Sequence, residues 1–138
     1  MCIIHIIKKA ERDIAMKAAT IVARILLGLV FVVFGSNVWF QFLPAPPMKG
    51  PIGAMMGAMF ETHYIHIIAA FQVLGGLILL IGRYVPLGLT LLGPIIVNIL
   101  LIHILMEPSG LPIALIVAAL ALFLLWRYRA NFAGLVKP

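Results

Sequence analysis

Four long apolar runs, separated by short breaks rich in proline or polar residues, dominate the chain. They extend over about 20–42, 64–81, 86–106 and 111–128, the last closed by Arg127 and Tyr128, whose long side chains reach back to the interface. A helix needs roughly 17–25 predominantly apolar residues to cross a bilayer core, and each run has that length. Hydrocarbon offers backbone N–H and C=O groups no partner, so a spanning segment must be a helix or part of a closed barrel. None of the runs shows the apolar–polar alternation of barrel strands. The pattern predicts an all-α, integral membrane four-helix up-down bundle.

The breaks carry further information. Leu43-Pro44-Ala45-Pro46-Pro47 ends the first helix, because proline brings no N–H and collides with the preceding turn. Gly82-Arg83-Tyr84-Val85-Pro86 and Glu107-Pro108-Ser109-Gly110 read as tight turns, with glycine suited to a helix end and proline to a helix start. Connections this short make neighbouring helices antiparallel. The first connection is longer, and its Gly-, Ala- and Met-rich stretch from Ile52 to Phe60 predicts a short helix on, or dipping into, the outer surface. Pro94, inside the third run, predicts a kink.

Lysine and arginine set the orientation. Lys8, Lys9, Arg12, Lys17 and Arg24 precede or open the first run, Arg83 lies in the turn after the second, and Arg127, Arg129 and Lys137 close the fourth. All of these fall on one side of a four-span bundle, and the other side holds Lys49, Glu61 and Glu107. The bias predicts a cytoplasmic N-terminus and C-terminus. Trp39 and Tyr64 at one interface, and Tyr84, Trp126 and Tyr128 at the other, suit aromatic belts.

Residues 1–17 differ in kind from the membrane domain expected over 18–138. Ile3, Ile7, Ala10 and Ile14 share a helical face, with Lys8, Lys9, Glu11, Arg12 and Asp13 elsewhere, the pattern of an amphipathic N-terminal segment on the inner leaflet. Met16-Lys17 would itself open a plausible membrane protein, so a second reading, with residues 1–15 outside the native product, stands beside the first. A cleaved signal peptide is not expected, since the apolar stretch is too long and Trp39-Phe40-Gln41-Phe42 is a poor cleavage context.

Composition agrees with lipid as the main solvent. Of the 138 residues, 64% are hydrophobic and 10% charged, against about 45–50% and about 25% in a soluble domain. The net charge of +6 lies at the ends of apolar runs rather than in a nucleic-acid footprint, so no nucleic-acid partner is expected. One cysteine, Cys2, excludes an intrachain disulfide and the paired thiols of a thiol–disulfide enzyme. No phosphate loop, nucleophile–base pair or dinucleotide fingerprint is present, and no catalytic residue is assigned.

Polar side chains within the spans are costly unless paired or facing a cavity, and so they mark candidate sites. Asn37 and Gln41 lie one turn apart near the outer end of the first helix. Gln72 and Asn98 lie at comparable depth in the second and third, with His103 and Glu107 one turn apart at the third helix's outer end. Glu61, His63 and His66 cluster where the second helix begins. Amides converging at one depth, below a rim of His63, His66 and Glu107, predict a ligand pocket formed by Asn37, Gln41, Gln72, Asn98 and His103. The competing reading is plain hydrogen bonding across helix interfaces, worth about 0.6 kcal/mol per pair. Arg24 reads as a side chain snorkelling to the inner headgroups.

Imidazoles bind zinc, copper and haem iron, and Met55, Met56 and Met59 are soft enough for copper(I). No spacing here forces a site, so interfacial histidines and a soft apolar methionine face are the favoured readings over haem, copper or another metal.

The chain resembles a known family. Ala23-Arg24-Ile25-Leu26-Leu27-Gly28-Leu29-Val30-Phe31, followed by Phe34-Gly35, is similar to the first-helix pattern of the DoxX-like membrane proteins. Gln72-Val73-Leu74-Gly75-Gly76-Leu77-Ile78-Leu79-Leu80-Ile81-Gly82-Arg83 resembles their second-helix signature. Pro94-Ile95-Ile96-Val97-Asn98-Ile99-Leu100, with His103, resembles the third helix of small bacterial members. The resemblance runs from about Ala18 to the C-terminus. It implies a four-helix protein of the bacterial cytoplasmic (inner) membrane linked to redox systems, which include the membrane subunit of a thiosulfate:quinone oxidoreductase. Gln72 departs from the pattern, since many relatives carry glutamate there, and an amide cannot ionise.

Three functions follow. A redox-associated subunit would bind a quinone or similar lipophilic carrier through Gln72, Asn98 and His103, with Asn37 or Arg24 assisting. A non-catalytic accessory or scaffold subunit would instead dock to another membrane protein, or to a second copy of itself, through its N-terminal helix and small-residue faces such as Gly53/Gly57 and Gly75-Gly76. A small-molecule carrier would use the polar cluster as a path.

Overall fold

The computed structural model describes residues 1–137. Six α-helices follow one another: α1 (Cys2–Phe40), α2 (Gly50–Glu61), α3 (Tyr64–Ile81), α4 (Val85–Leu105), α5 (Leu111–Arg127) and α6 (Arg129–Val136). A single 3₁₀ turn, Pro108–Gly110, leads into α5. Four helical segments, α1, α3, α4 and α5 with the turn that leads into it (Pro108–Arg127), are long and apolar enough to span a membrane. Numerous large apolar residues are exposed around them, Leu26, Phe71, Leu101 and Leu122 among them. In a soluble protein such a surface drives aggregation; here it is the face turned to lipid. The chain is a multi-pass, all-α membrane protein.

The spanning helices form a ring in which α1 packs on α3 and α5, and α4 packs on the same two from the other side. Each contributes one fully buried leucine, namely Leu27, Leu79, Leu92 and Leu124. Glycines set the close approaches. A Cβ at Gly28 would lie 2.8 Å from the Gly76 carbonyl oxygen, and one at Gly76 would lie 2.7 Å from that of Gly28. Gly75, one residue back and about 100° around α3, receives Leu92 of α4. Adjacent glycines thus serve two different helix interfaces.

At one end of the ring the basic side chains gather. Arg127 Nε donates to Thr20 Oγ1 at 2.8 Å, and the Thr20 hydroxyl donates to the Met16 carbonyl at 2.7 Å, tying α5 to α1. The Arg24 guanidinium lies against Gly82, whose φ of 79° ends α3. A cation there faces the negative end of the helix dipole, and the absence of a side chain on Gly82 is what gives it room. Arg129 covers the Trp126 ring with its guanidinium carbon 5.0 Å from the centroid.

Helix α1 is longer than its apolar run. It continues without a turn through the charged residues at its start, and residues 1–15 are exposed throughout. Its 39 residues correspond to about 58 Å, roughly twice a hydrocarbon core. Helix α2 is the short helix expected between the first two spans, beginning two residues earlier. It rests on α3, with Ile52 as its buried residue. Helix α4 continues through Pro94. The short helix α6 was not foreshadowed by any apolar run.

Candidate functional site

The apolar core is concentrated in the basic half of the ring, around the four leucines, Val85, Leu89 and Ala121. Two cavities open in the opposite half. The larger, about 560 Å³, lies between α3 and α4 beneath α2. Its volume is within the usual range for small-molecule sites, about 300–1,000 Å³. Met55, Met56 and Met59 of α2 and Met106 after α4 line it, together with Ile65, Ile68, Ile95 and Leu101. The polar groups on its wall include the side-chain amides of Gln72 and Asn98. Tyr64, Leu101 and Leu105 are both wall residues and exposed on the bundle surface, so the cavity adjoins the lipid-facing side.

Asn98 reaches this wall from α4, where its Nδ2 donates to the Pro94 carbonyl one turn back at 3.3 Å. That leaves its Oδ1 and second N–H for another partner. Among the described residues, the Gln72 amide has no hydrogen-bond partner in the chain. A half-buried amide without a partner, in apolar surroundings, is incompletely satisfied.

The smaller cavity, about 210 Å³, lies inside the ring. Val30, Phe31 and Phe34 of α1, Gln72 of α3, Ile99 and His103 of α4, and Ala114 and Val117 of α5 bound it. Gln72 and Ile99 belong to both walls. The half-buried His103 ring is fixed on two sides. Its Nδ1 is 2.9 Å from the Glu107 carbonyl oxygen, and its Cε1 edge lies so close to Gly110 that a Cβ there would collide with it.

The five expected pocket residues therefore separate into two groups. Gln72, Asn98 and His103 line cavities. Asn37 and Gln41 line neither of those described. Asn37 Oδ1 accepts the Leu43 N–H at 2.7 Å, which closes the end of α1. Gln41 is exposed and left-handed, with φ 49°, and its N–H bonds the Asn37 carbonyl. The chain's own turn thus occupies the Asn37 Oδ1 and the Gln41 backbone N–H.

The rim residues divide as well. His66 is half-buried among Trp39, Phe60 and His63, at ring-centroid distances of 6.0, 6.1 and 5.2 Å, which joins the ends of α1 and α2 to the start of α3. Its Nδ1 is buried and has no partner. His63 is exposed at φ 60° and precedes α3. Glu107 accepts the Ser109 hydroxyl and, through its backbone, holds His103. Among the described residues, no group of three or more His, Cys, Asp and Glu side chains is placed to hold a metal ion.

Sequence reasoning missed the roles of Met106, Phe31, Phe34 and Gly110. The methionines of α2 read from sequence as a soft apolar face, with copper(I) as the lesser alternative, and not as cavity wall. Gly110 reads as a turn residue, and nothing in the sequence shows that it seats an imidazole. Compared with protein-family models, curated proteins and solved structures, the chain finds no match.

Proposed function

We propose that the protein is a redox-associated membrane subunit that holds a quinone, or a similar lipophilic carrier, in the cavity beneath α2. The observation that carries this reading is a pair of side-chain amides, Gln72 and Asn98, from adjacent helices on the wall of an otherwise largely apolar cavity of about 560 Å³. Amide N–H groups donate to carbonyls, while methionines adapt to an apolar ring or tail. Exposed Leu101 and Leu105 at the wall suit entry sideways from the bilayer. The DoxX-like motifs around Gln72 and Asn98 point the same way. In this reading the basic end faces the bacterial cytoplasm and the cavities open in the outer half. Electrons then come from a bound cofactor or a partner.

Purification from native membranes in mild detergent, with quinone extracted and quantified, tests the reading. Stoichiometric quinone that falls at least tenfold in Asn98→Leu and Gln72→Leu supports it. Quinone-free protein that also fails to bind added short-chain quinone saturably overturns it.

A scaffold role has one observation in its favour. Residues 1–15 of α1, with Ile3, Ile4, Ile6, Ile7 and Ile14, are exposed on a helix that extends beyond the bundle. A larger complex that dissociates on deletion of residues 2–15 is the result expected of that role.

A further inference from the structure

The inner cavity has a hydrogen-bonding polarity that the outer one lacks. A backbone carbonyl has no hydrogen to give, so the contact between His103 Nδ1 and the Glu107 oxygen at 2.9 Å requires the proton on Nδ1. In the neutral ring Nε2 then carries a lone pair and acts as an acceptor. Among the described residues no donor in the chain reaches it. The ring cannot easily turn to present Nδ1 instead, because that would break the carbonyl contact and disturb its seat on Gly110.

Across the same cavity is Gln72, whose amide is also free and supplies two N–H donors. The cavity thus holds one fixed acceptor and one adaptable donor among apolar and aromatic walls. Its volume of about 210 Å³ suits a small substituted ring, since a dry apolar cavity of about 150 Å³ accepts benzene. Gln72 and Ile99 form part of both walls, so the two cavities adjoin.

We propose that the cavity between Gln72 and His103 selects the hydroxyl-bearing, reduced form of an aromatic carrier, a hydroquinone or phenol, over its oxidised carbonyl form. A ligand O–H donates to His103 Nε2, and a ligand oxygen accepts from the Gln72 amide. An oxidised quinone presents only lone pairs to Nε2, so the imidazole receives no hydrogen bond from the ligand. Sites built to bond a hydroxyl discriminate strongly against analogues that lack it. His103 is here a specificity-determining residue, and Glu107 and Gly110 position it. The inference rests on the lipophilic-carrier reading and adds to it which redox form is held.

The test uses the full chain in lipid nanodiscs under anaerobic conditions. Equilibrium binding is measured for tetramethyl-1,4-hydroquinone, its quinone and its dimethyl ether. The expected result is at least tenfold tighter binding of the hydroquinone than of the other two. His103→Leu removes that preference, and Gly110→Ala weakens it by displacing the ring, with circular dichroism confirming that each variant is folded. Nitrogen-15 NMR of histidine-labelled protein provides a readout independent of any ligand: His103 carries its proton on Nδ1. Equal binding of the three probes, a preference retained in His103→Leu, or a proton on Nε2 overturns the selectivity alone. Failure of all three probes to bind overturns the carrier reading as well.

Discussion

Gly28 of α1 and Gly76 of α3 face each other so closely that a Cβ on either would lie within 2.8 Å of the other's carbonyl oxygen. Carbonyl oxygens belong to the backbone and cannot rotate away as a side-chain tip can. Gly76→Ala is therefore expected to destabilise the bundle by about 1–3 kcal/mol, the usual cost of overpacking. Gly57 of α2 has open space at its Cβ position, so Gly57→Ala is expected to be neutral or to stabilise by up to about 1 kcal/mol through helix propensity. Reversible unfolding in mixed detergent, followed by circular dichroism, measures both.

The link between Arg127 and Thr20 predicts a coupling. Thr20→Val, Arg127→Leu and the double variant form a cycle whose interaction energy is expected at about 0.6–1.7 kcal/mol, as for hydrogen bonds between membrane helices. The same unfolding assay gives the value, and additive effects would show that the contact contributes nothing.

Asn37 separates a structural amide from a ligand-binding one. Because its Oδ1 holds the Leu43 N–H, Asn37→Leu is expected to cost about 1 kcal/mol of stability by leaving that donor unpaired. Quinone binding should be unchanged, in contrast to Asn98→Leu. Side-by-side extraction and unfolding of the two variants distinguishes the roles.

His66 offers a stabilising substitution. Its buried Nδ1 has no partner, yet its ring packs with Trp39, Phe60 and His63. Phenylalanine keeps the ring and removes the unsatisfied nitrogen. His66→Phe is expected to gain about 1 kcal/mol, seen as a higher melting temperature by Trp39 fluorescence.

The fold was legible because its main cause is local. Twenty apolar residues in lipid have few alternatives to a helix, and turns such as Gly82 to Pro86 leave antiparallel packing as the direct outcome. The full length of α1 was harder to read. Its apolar pattern weakens before Lys17, but Lys, Glu and Arg are good helix formers, so the helix continues where the membrane signal stops.

The site was legible in depth but not in rotation. Counting residues from the turns put Gln72 and Asn98 at a common level, and both line one cavity. The same counting put Asn37 there too. Its amide is instead taken by the N–H of Leu43, a demand set by the left-handed turn at Gln41 that residue spacing cannot express. His103's fixed ring depends on Gly110 and the Glu107 carbonyl, and hence on loop geometry.

Helix α1 has one mechanical consequence. The 18 residues from Cys2 to Ala19 precede its first buried residue, Thr20, and make an arm of about 27 Å. The bond from Arg127 to Thr20 acts as the fulcrum. On the far side of that fulcrum, Phe31 and Phe34 of the same unhinged helix form part of the inner cavity's wall. A tilt of the arm about that point would reach those two rings through one continuous helix, so the geometry of α1 is that of a lever whose short end borders the inner cavity.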